Sequence, residues 1–174
     1  DTKPRQLTNH KGTEHDVIWR SDSKSFYFLA DRTGSSQVWQ LSLDGGEAMQ
    51  VSDLPLDVNG IKLSPDDSQL ALTMAVFSDC PDLDCSAKRF KEAKDKPQRG
   101  HLYKQLMVRH WDTWKDDSFN HVFVGSLSQN GQTLDKISDI TPSWQTDIPA
   151  KPFSGMEEVT FTPDSRELVF SAKA

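Results

Sequence analysis

The sequence of 174 residues predicts an all-β protein, a partial β-propeller of four-stranded antiparallel blades. Three observations predict it. A motif made of an apolar strand end, a Pro/Asp/Ser turn and an alternating apolar strand recurs three times, and its first two copies begin 44 residues apart. Strong turn dipeptides separate further short strands. A four-stranded antiparallel unit with this period is typical of a propeller blade, whereas a β-sandwich, the alternative, predicts no sequence repeat.

The motif occupies residues 19–28, 63–72 and 161–170. Pro65 and Pro163 preset the backbone for a turn, and the aspartate after each proline can accept a hydrogen bond from the nearby backbone. Apolar residues alternate after the turn, as Phe26 and Phe28 do, which places one face of the strand in a core. Each copy therefore predicts a β-hairpin.

The remaining strands of the unit also repeat. Residues 37–43 match 121–127 and residues 49–53 match 135–139, with the hairpin signals Asp44-Gly45-Gly46 and Asn130-Gly131 between them. These pieces give about eleven strands: an outer strand at 5–9, a blade at 16–53, a blade at 59–139 with a partly helical insertion at 78–118, and the first half of a third blade at 157–173. Since propellers close with about 4–8 blades, we expect a sector of a ring.

Charge and hydropathy exclude two classes of function. The net charge is -6, whereas nucleic-acid-binding domains normally carry an excess of basic residues. The longest near-apolar run, 70–77, has about eight residues against the roughly 20 of a membrane helix. We therefore expect no nucleic-acid and no membrane partner. The chain opens on Asp1 without an apolar signal core, which indicates a processed mature form or an excised piece.

The insertion contains both cysteines and a basic stretch. Cys80 and Cys85 are separated by a proline turn and can reach the Cα distance of a disulfide, with two free thiols as the alternative. Residues 86–104 hold seven Lys or Arg against two acidic residues, and Pro97 would end a helix there. This segment is either a solvated surface helix or a charged flap over the propeller mouth or against a partner domain.

The sequence lacks the motifs of catalysis. It has no Gly-x-Ser-x-Gly elbow, no phosphate-binding loop and no His-Glu-x-x-His motif. A metal site would need more ligands than two nearby cysteines. We expect no catalytic residue, metal or cofactor in this chain. We also expect surface positions for the five scattered histidines: His10, His15, His101, His110 and His121.

Four residues are candidates for substrate binding. Arg109 and Trp111 lie at the end of the insertion, and the alternative for them is a structural clasp that returns the insertion to the blade. Glu157 and Glu158 open the last half blade. On a strand they point to opposite faces, so they cannot act together on one proton as a glycosidase pair would. Either one glutamate faces the channel and binds a positive group, or both belong to a solvated strand entry.

These features resemble a known family. The Pro-Asp-Ser turns are similar to the TolB-like propeller repeat. The run from Phe77 to Cys85, the Lys-rich insertion, the run Arg-His-Trp-Asp-Thr-Trp at 109–114 and the strand at 121–124 resemble the propeller of bacterial prolyl oligopeptidase-family serine peptidases, in the acylaminoacyl and dipeptidyl peptidase branch. Residues 155–161 are similar to the opening of a strand in that branch. The likeness covers essentially the whole chain.

The resemblance implies a two-domain parent. In that family the propeller caps a C-terminal α/β-hydrolase domain that holds Ser, Asp and His, and it admits only short peptides to the enclosed site. Propeller glutamates of related dipeptidyl peptidases bind the free amino terminus of the substrate. This would be the role of Glu157 or Glu158, although the Asp-Trp-x-x-Glu-Glu type of motif is absent here.

The function expected from this resemblance is gating and substrate selection in a periplasmic or secreted peptidase, since secreted members of the branch carry a signal peptide. The alternatives are a non-enzymatic TolB-like periplasmic propeller that binds a protein partner, and a self-contained binding domain. Because a propeller sector exposes strand edges and blade faces, we also expect self-association.

Overall fold

The chain folds into antiparallel sheets that follow one another along the sequence. The computed structural model describes residues 3–97, 100, 103, 109–111, 113–142, 144–151 and 153–173. Its elements are, in chain order, β1 (Glu14–Trp19), β2 (Ser25–Ala30), β3 (Gln37–Ser42), β4 (Met49–Gln50), β5 (Gly60–Leu63), β6 (Gln69–Val76), α1 (Leu83–Asp95), β7 (Arg109–His110), β8 (Thr113–Trp114), β9 (Phe119–Leu127), β10 (Leu134–Asp139), a 3-10 helix (Met156–Glu158), β11 (Val159–Phe161) and β12 (Leu168–Phe170).

Apart from the hairpin β7–β8 of the insertion, the described strands form three successive sheets. Sheet I has the order β1–β2–β3–β4, sheet II the order β5–β6–β9–β10, and sheet III is the pair β11–β12. All neighbouring strands are antiparallel. Strand β1 contacts β5, and β5 contacts β11, so the first strands of the three sheets lie side by side. Successive blades of a propeller are arranged in this way, and the sheets do not close a ring. The predicted fold class is confirmed.

The three copies of the repeat motif form the same turn. The residue after the turn aspartate has a positive φ in each copy: 56° at Ser23, 58° at Asp67 and 60° at Ser165. Short polar side chains tolerate this left-handed conformation. In the second copy, Oδ1 of Asp66 accepts a hydrogen bond from the Ser68 N–H at 3.0 Å. The sequence predicted this local bond for the turn aspartate.

The main core lies between sheets I and II. Its fully buried side chains come from both sheets and include Tyr27, Leu29, Val38, Leu70, Leu72 and Met74. The Tyr27 hydroxyl donates to the Gly131 carbonyl at 2.8 Å and so joins sheet I to the β9–β10 turn. Burial raises the pKa of Tyr27 to about 12, which keeps the hydroxyl a donor. A Cβ at Gly131, where φ is 72°, would collide with that hydroxyl.

A smaller core lies between sheets II and III. Ala71 of β6 packs there against Val159 and Phe161 of β11. Sheet II is therefore covered on both faces, which explains why six of the eight β6 residues, all except Gln69 and Ala75, are buried.

Three details differ from the sequence prediction. Residues 5–9, expected as an outer strand, form no strand, because no strand of the described chain lies beside them to supply hydrogen bonds. Glu157 and Glu158, expected on a strand, lie in the 3-10 helix that precedes β11. The insertion contains the hairpin β7–β8 in addition to the expected helix. Its residues 98–99, 101–102, 104–108 and 112 lie outside the described part of the chain.

Candidate functional site

Both long connections of the chain lie at one end of the sheets. The insertion joins the end of β6 to the start of β9, and residues 140–158 join the end of β10 to β11. We call the surface formed by the described residues within 77–118 and 140–158 the insertion face. The three repeat turns lie at the opposite end. All four candidate substrate-binding residues are therefore on the insertion face.

The insertion begins with a covalent clamp. Cys80 and Cys85 form a disulfide with a Cα–Cα distance of 5.5 Å, which confirms the pairing favoured from the sequence. Between them, the Asp82 side chain caps α1 by accepting a hydrogen bond from the Cys85 N–H at 2.7 Å. The Phe77 N–H donates to the buried Ser86 hydroxyl at 3.2 Å. The first turn of α1 is thus fixed to the end of β6 at two points.

Aromatic contacts hold the next turns of α1. The rings of Phe77 and Phe90 lie 4.7 Å apart. The Arg89 guanidinium lies 4.0 Å above the Phe77 ring and 2.6 Å from the Asp79 carboxylate. Other basic side chains of the helix remain solvated, as Lys88 does at 79% exposure of its side chain. The solvated-helix interpretation therefore fits the described part of the segment.

A buried histidine lies beneath this clamp. His121 is 1% exposed, so the expectation of a surface histidine is wrong at this position. Its Nδ1 lies 2.7 Å from Oδ2 of Asp139, and its Nε2 lies 2.9 Å from the Trp144 carbonyl oxygen. Oδ1 of the same carboxylate accepts the Thr141 N–H at 2.8 Å. His121 thereby joins the central strand β9 to the start of the 140–158 connection.

Both partners of the His121 ring are acceptors. A neutral imidazole has one donor nitrogen, whereas two acceptors require two, which is the imidazolium form. Burial of the ring lowers the pKa of His121, but the hydrogen bond and the negative charge of Asp139 outweigh burial and leave the pKa above its ordinary value. The geometry and the direction of this pKa shift agree on a buried positive charge paired with Asp139.

This histidine–aspartate pair is not half of a catalytic triad. In a serine hydrolase, Nε2 of the histidine faces the nucleophile hydroxyl. Here Nε2 of His121 faces the Trp144 carbonyl, and the ring is closed off from solvent. The pair is structural. The described residues also contain no group of three or more His, Cys, Asp or Glu side chains placed to hold a metal ion.

A cleft of about 310 Å³ opens between the clamp and sheet II. Apolar side chains such as Phe77, Phe123 and Ile137 line it, together with the His121–Asp139 pair. The cleft therefore combines apolar walls with one polar floor. The sequence did not indicate this cleft, because its lining residues come from three separate segments of the chain.

The structure joins the hairpin of the insertion to the 140–158 connection. Trp111, 72% exposed, lies at the β7–β8 turn, and its ring meets that of Phe153 edge to face at 5.5 Å. The Arg109 guanidinium lies 5.2 Å from the centre of the Trp114 ring. Asp112, the fourth residue of the quoted run, lies outside the described residues. Trp111 therefore reaches the segment that leads into the two glutamates.

The two glutamates have local partners. Glu157 is exposed, and its Oε1 accepts the Gly155 N–H at 2.9 Å. Glu158 accepts a hydrogen bond from the Ser171 hydroxyl, and this bond, helped by Ser154, holds the pKa of Glu158 below its usual range. Within the described part of the chain neither carboxylate forms an ion pair.

The chain is similar in sequence to several dipeptidyl peptidases. Over 97% of its length the chain is 28% identical to dipeptidyl-peptidase 5 of Porphyromonas endodontalis and 27% identical to that of Porphyromonas gingivalis. The similarity to dipeptidyl-peptidase 5 thus extends over nearly the whole chain. Over 89% of its length it is also 26% identical to dipeptidyl-peptidase 4 of Giardia intestinalis. No family model matches the chain.

The dipeptidyl peptidase relatives are much longer proteins. The chain spans 23% of the length of each of these three. Among solved structures it is similar to a putative TolB from Agrobacterium tumefaciens, with a TM-score of 0.45 and 16% identity over 76% of this chain and 35% of that one. It is also similar to Pyrococcus horikoshii acylaminoacyl peptidase, with a TM-score of 0.44 and 11% identity over 72% of this chain and 17% of that one. The sequence similarity to the dipeptidyl peptidases confirms the resemblance stated from the residues.

The described residues contain neither a membrane-spanning helix nor a hydroxyl group paired with the buried histidine. Helix α1 is too short and too polar to span a bilayer, and no other helix of the described ranges qualifies. No serine or threonine hydroxyl is bonded to either nitrogen of the one buried histidine described. The similarity to dipeptidyl peptidases therefore lies in the sequence along the chain, and the described residues add no catalytic group to it.

Proposed function

We propose that this chain is a non-catalytic propeller segment of a larger serine exopeptidase, in which it gates the access of short peptides to an α/β-hydrolase domain outside this chain. The observation that carries the proposal is the similarity to dipeptidyl peptidases over 97% of the chain but only 23% of the relative. The chemistry of the described site supports it, since the His121–Asp139 pair serves structure and offers no base to a nucleophile.

The arrangement of the two sheet ends supports a gating role. The repeat-turn end consists of short turns that are hydrogen-bonded to one another, as the Ser21 hydroxyl is to Asp67 at 2.7 Å. The insertion face carries the long connections, with exposed aromatic and charged side chains. A gate needs such a variable, chemically diverse surface on a rigid support, and loops on a propeller supply it.

Four residues of this face are proposed to contact the peptide. Glu157 or Glu158 would bind the free ammonium group, and Trp111 and Arg109 would contact the side chains and carbonyl groups that follow. The Trp111–Phe153 contact supports this grouping, because it brings the hairpin to the segment that ends in the glutamates. An ionised carboxylate at the entry would favour the charged amino terminus of a peptide over an internal amide.

Peptide binding by the purified chain tests the proposal. Trp fluorescence is titrated with a tetrapeptide and with the same peptide acetylated at its amino terminus. We expect saturable quenching by the free peptide, weaker quenching by the acetylated one, and loss of this preference in the Glu157→Gln/Glu158→Gln variant. Glu167→Gln, an exposed carboxylate at the opposite end, is the matched control. Equal quenching by both peptides would contradict the proposal that Glu157 or Glu158 binds the free amino terminus of the peptide.

The alternative function has its own signature in that experiment. A TolB-like propeller that works through a protein partner would show no saturable response to either tetrapeptide. Hydrolysis of the peptide by the chain would contradict both accounts, because it requires a nucleophile that the described residues do not present.

We further propose that the protein works in the periplasm or outside the cell. The Cys80–Cys85 disulfide supports this location, because disulfides persist mainly in oxidising compartments. Intact mass after thiol labelling of the protein taken from its native host, without reductant, tests it. No added label is expected, and two labelled thiols would overturn the proposal.

A further inference from the structure

The loop that follows β10 is fixed to β9 at both of its ends. The Ile140 N–H donates to the Val122 carbonyl at 3.0 Å, and the Ile148 N–H donates to the Asn120 carbonyl at 2.8 Å. We call the described residues within 141–147 the latch loop. Both end contacts join backbone groups, so neither of them depends on the charge of a side chain.

The middle of the latch loop is held by one side chain. His121, the residue of β9 between the two end contacts, directs Nε2 at the Trp144 carbonyl oxygen over 2.9 Å. Its Nδ1 lies 2.7 Å from Oδ2 of Asp139. The histidine is 1% exposed, so water has little access to either nitrogen. An imidazolium can donate to both partners, whereas a neutral ring has one proton for two acceptors.

Loss of a ring proton removes the bond to the latch loop. The remaining proton stays on Nδ1, because the ionised carboxylate of Asp139 is a stronger acceptor than the Trp144 carbonyl. Nε2 then presents a lone pair to the carbonyl oxygen 2.9 Å away, and two acceptors at this distance repel each other. While the loop is closed, both atoms are also buried without a donor, which is unfavourable. Movement of the middle of the loop away from the ring relieves both costs.

The charges that face the ring are mainly negative. Burial lowers the pKa of His121, but the hydrogen bond and the charge of Asp139 raise it, and the charge of Asp147 adds to the rise. The amino-terminal end of α1 presents the Asp82 carboxylate to the same cleft. Strand β6 places Met74, which carries no charge, opposite His121. The surroundings therefore favour the imidazolium while the loop is closed.

The cations of this region contact other carboxylates. Nζ of Lys115 lies 3.2 Å from Oδ2 of Asp147, and Nζ of Lys151 lies 3.6 Å from Oδ1 of the same residue. On the clamp, the Arg89 guanidinium pairs with Asp79 at 2.6 Å. These pairs weaken the field of Asp147 and leave the Asp139 carboxylate as the partner of the imidazolium.

The latch loop closes one side of the cleft and reaches the next sheet. Pro142 lines the cleft together with His121. The Trp144 ring meets the ring of Phe170 on β12 at 6.3 Å, with 74° between the ring planes. A change in the position of this loop therefore alters both the cleft and the contact between sheets II and III.

We propose that His121 is a pH-dependent latch, which as an imidazolium holds the latch loop closed over the cleft and on loss of a ring proton at higher pH frees the middle of the loop. The end contacts at Ile140 and Ile148 persist, so the loop opens between two fixed points while sheet II stays intact. The inference rests on the fold and is independent of the proposed peptidase role.

The direction of the pH dependence follows from linkage. The closed loop binds the ring proton of His121 more tightly than the open loop, in which the ring meets water, so protonation favours closure by the same factor. Closure is fully favoured below the ordinary histidine pKa of about 6.5 and is lost as pH rises through the raised pKa of the closed state.

Side-chain NMR and amide hydrogen exchange of the whole chain test the latch. Long-range ¹H–¹⁵N spectra from about pH 5 to about pH 9 count the ring protons of His121. Exchange, corrected for the intrinsic rate at each pH, follows the Trp144 N–H, which donates to the Thr141 carbonyl at 3.1 Å. We expect two ring protons at the acid end and one at the alkaline end. Protection of the Trp144 amide should fall about tenfold over the same interval, while the amides of β2 keep theirs.

Three variants make the test specific. His121→Gln removes the titrating ring, assigns its signals by their absence and should make the protection of the Trp144 amide independent of pH. Asp147→Asn keeps an acceptor for the Asn120 N–H and should move the midpoints of both transitions to lower pH. It carries the test if His121→Gln does not fold. His15→Gln, at an exposed histidine of sheet I, is the control and should leave both midpoints unchanged.

Four results would overturn the proposal. The first is a single ring proton on His121 at the acid end, and the second is a ring that keeps both protons to the alkaline end. The third is loss of the proton with no change in the protection of the Trp144 amide. The fourth is a midpoint that Asp147→Asn leaves in place.

Discussion

Nδ1 of His121 lies 2.7 Å from Oδ2 of Asp139, and this pair ties the central strand of sheet II to the connection that leads toward the candidate site. The pair carries the first prediction. The pKa of His121 is raised in the folded protein, so its contribution to stability is complete below the unfolded pKa of about 6.5 and is lost as pH rises through the folded pKa.

Asp139→Asn removes the charge but keeps the size of the side chain. We expect it to lower the free energy of unfolding by about 2 kcal/mol in mildly acidic buffer, with a smaller loss as pH rises above the folded pKa of His121. Urea unfolding of both proteins across this pH range measures the difference. The negative charge of Asp147 also raises the pKa of His121, after the larger contributions of Asp139. Asp147→Asn is therefore measured beside Asp139→Asn, and we expect it to lower the free energy of unfolding by less. A loss that grows with pH would contradict a buried imidazolium.

Tyr27 and Gly131 form the second testable relationship. Tyr27→Phe leaves the Gly131 carbonyl without its donor and is expected to cost about 1 kcal/mol of unfolding free energy. Gly131→Ala is expected to cost more, because the new Cβ meets the Tyr27 hydroxyl and φ is positive. Gly131→Ala should be less harmful in the Tyr27→Phe background, which removes that hydroxyl. Additive losses in a double-mutant cycle would show that the two residues do not interact.

The Cys80–Cys85 clamp is expected to act locally. Replacing both cysteines by serine opens a short loop, for which chain entropy gives a loss of about 2 kcal/mol. Amide hydrogen exchange should rise most in α1, since the clamp fixes its first turn, while the amides of β6 and β9 change little. Faster exchange spread evenly over sheets I and II would show that the disulfide stabilises the whole domain instead.

The Asp67 turn gives a prediction based on the repeat. Asp67→Ala removes the acceptor of the Ser21 bonds and leaves a less tolerant residue at positive φ, at an expected cost of about 2 kcal/mol. Asp67→Ser should recover much of this loss, because Ser165 holds the equivalent position and accepts the equivalent bond. Thermal unfolding of the two variants compares them, and equal losses would mean that the turn link contributes little.

The sequence was sufficient for features that depend on local chemistry and on the repeat. The Pro-Asp-Ser turns, the 44-residue spacing and the Gly-containing hairpins located the strands of sheets I and II. The cysteines and Pro97 likewise located the clamp and the end of the helix. These signals survive in a single sequence because each is fixed by backbone conformation over a few residues.

The features that sequence did not reveal depend on contacts between distant residues. His121 reads as a surface histidine because its partners, Asp139 and Trp144, follow it by 18 and 23 residues. The clue available was its position in the run Asn-His-Val-Phe-Val of a strand that is covered on both faces. Glu157 and Glu158 were assigned to a strand, because the hydrogen bonds from Gly155 and Ser171 that shape the 3-10 segment have no sequence signature.

The most direct test of the proposed role is the fate of a short peptide held by the chain. A tetrapeptide with a free amino terminus is incubated with an excess of the purified protein, Trp fluorescence reports binding, and mass spectrometry then identifies the peptide recovered. The account predicts that fluorescence is quenched and that the peptide is recovered intact. A peptide shortened by two residues, or a peptide that causes no quenching, would contradict it.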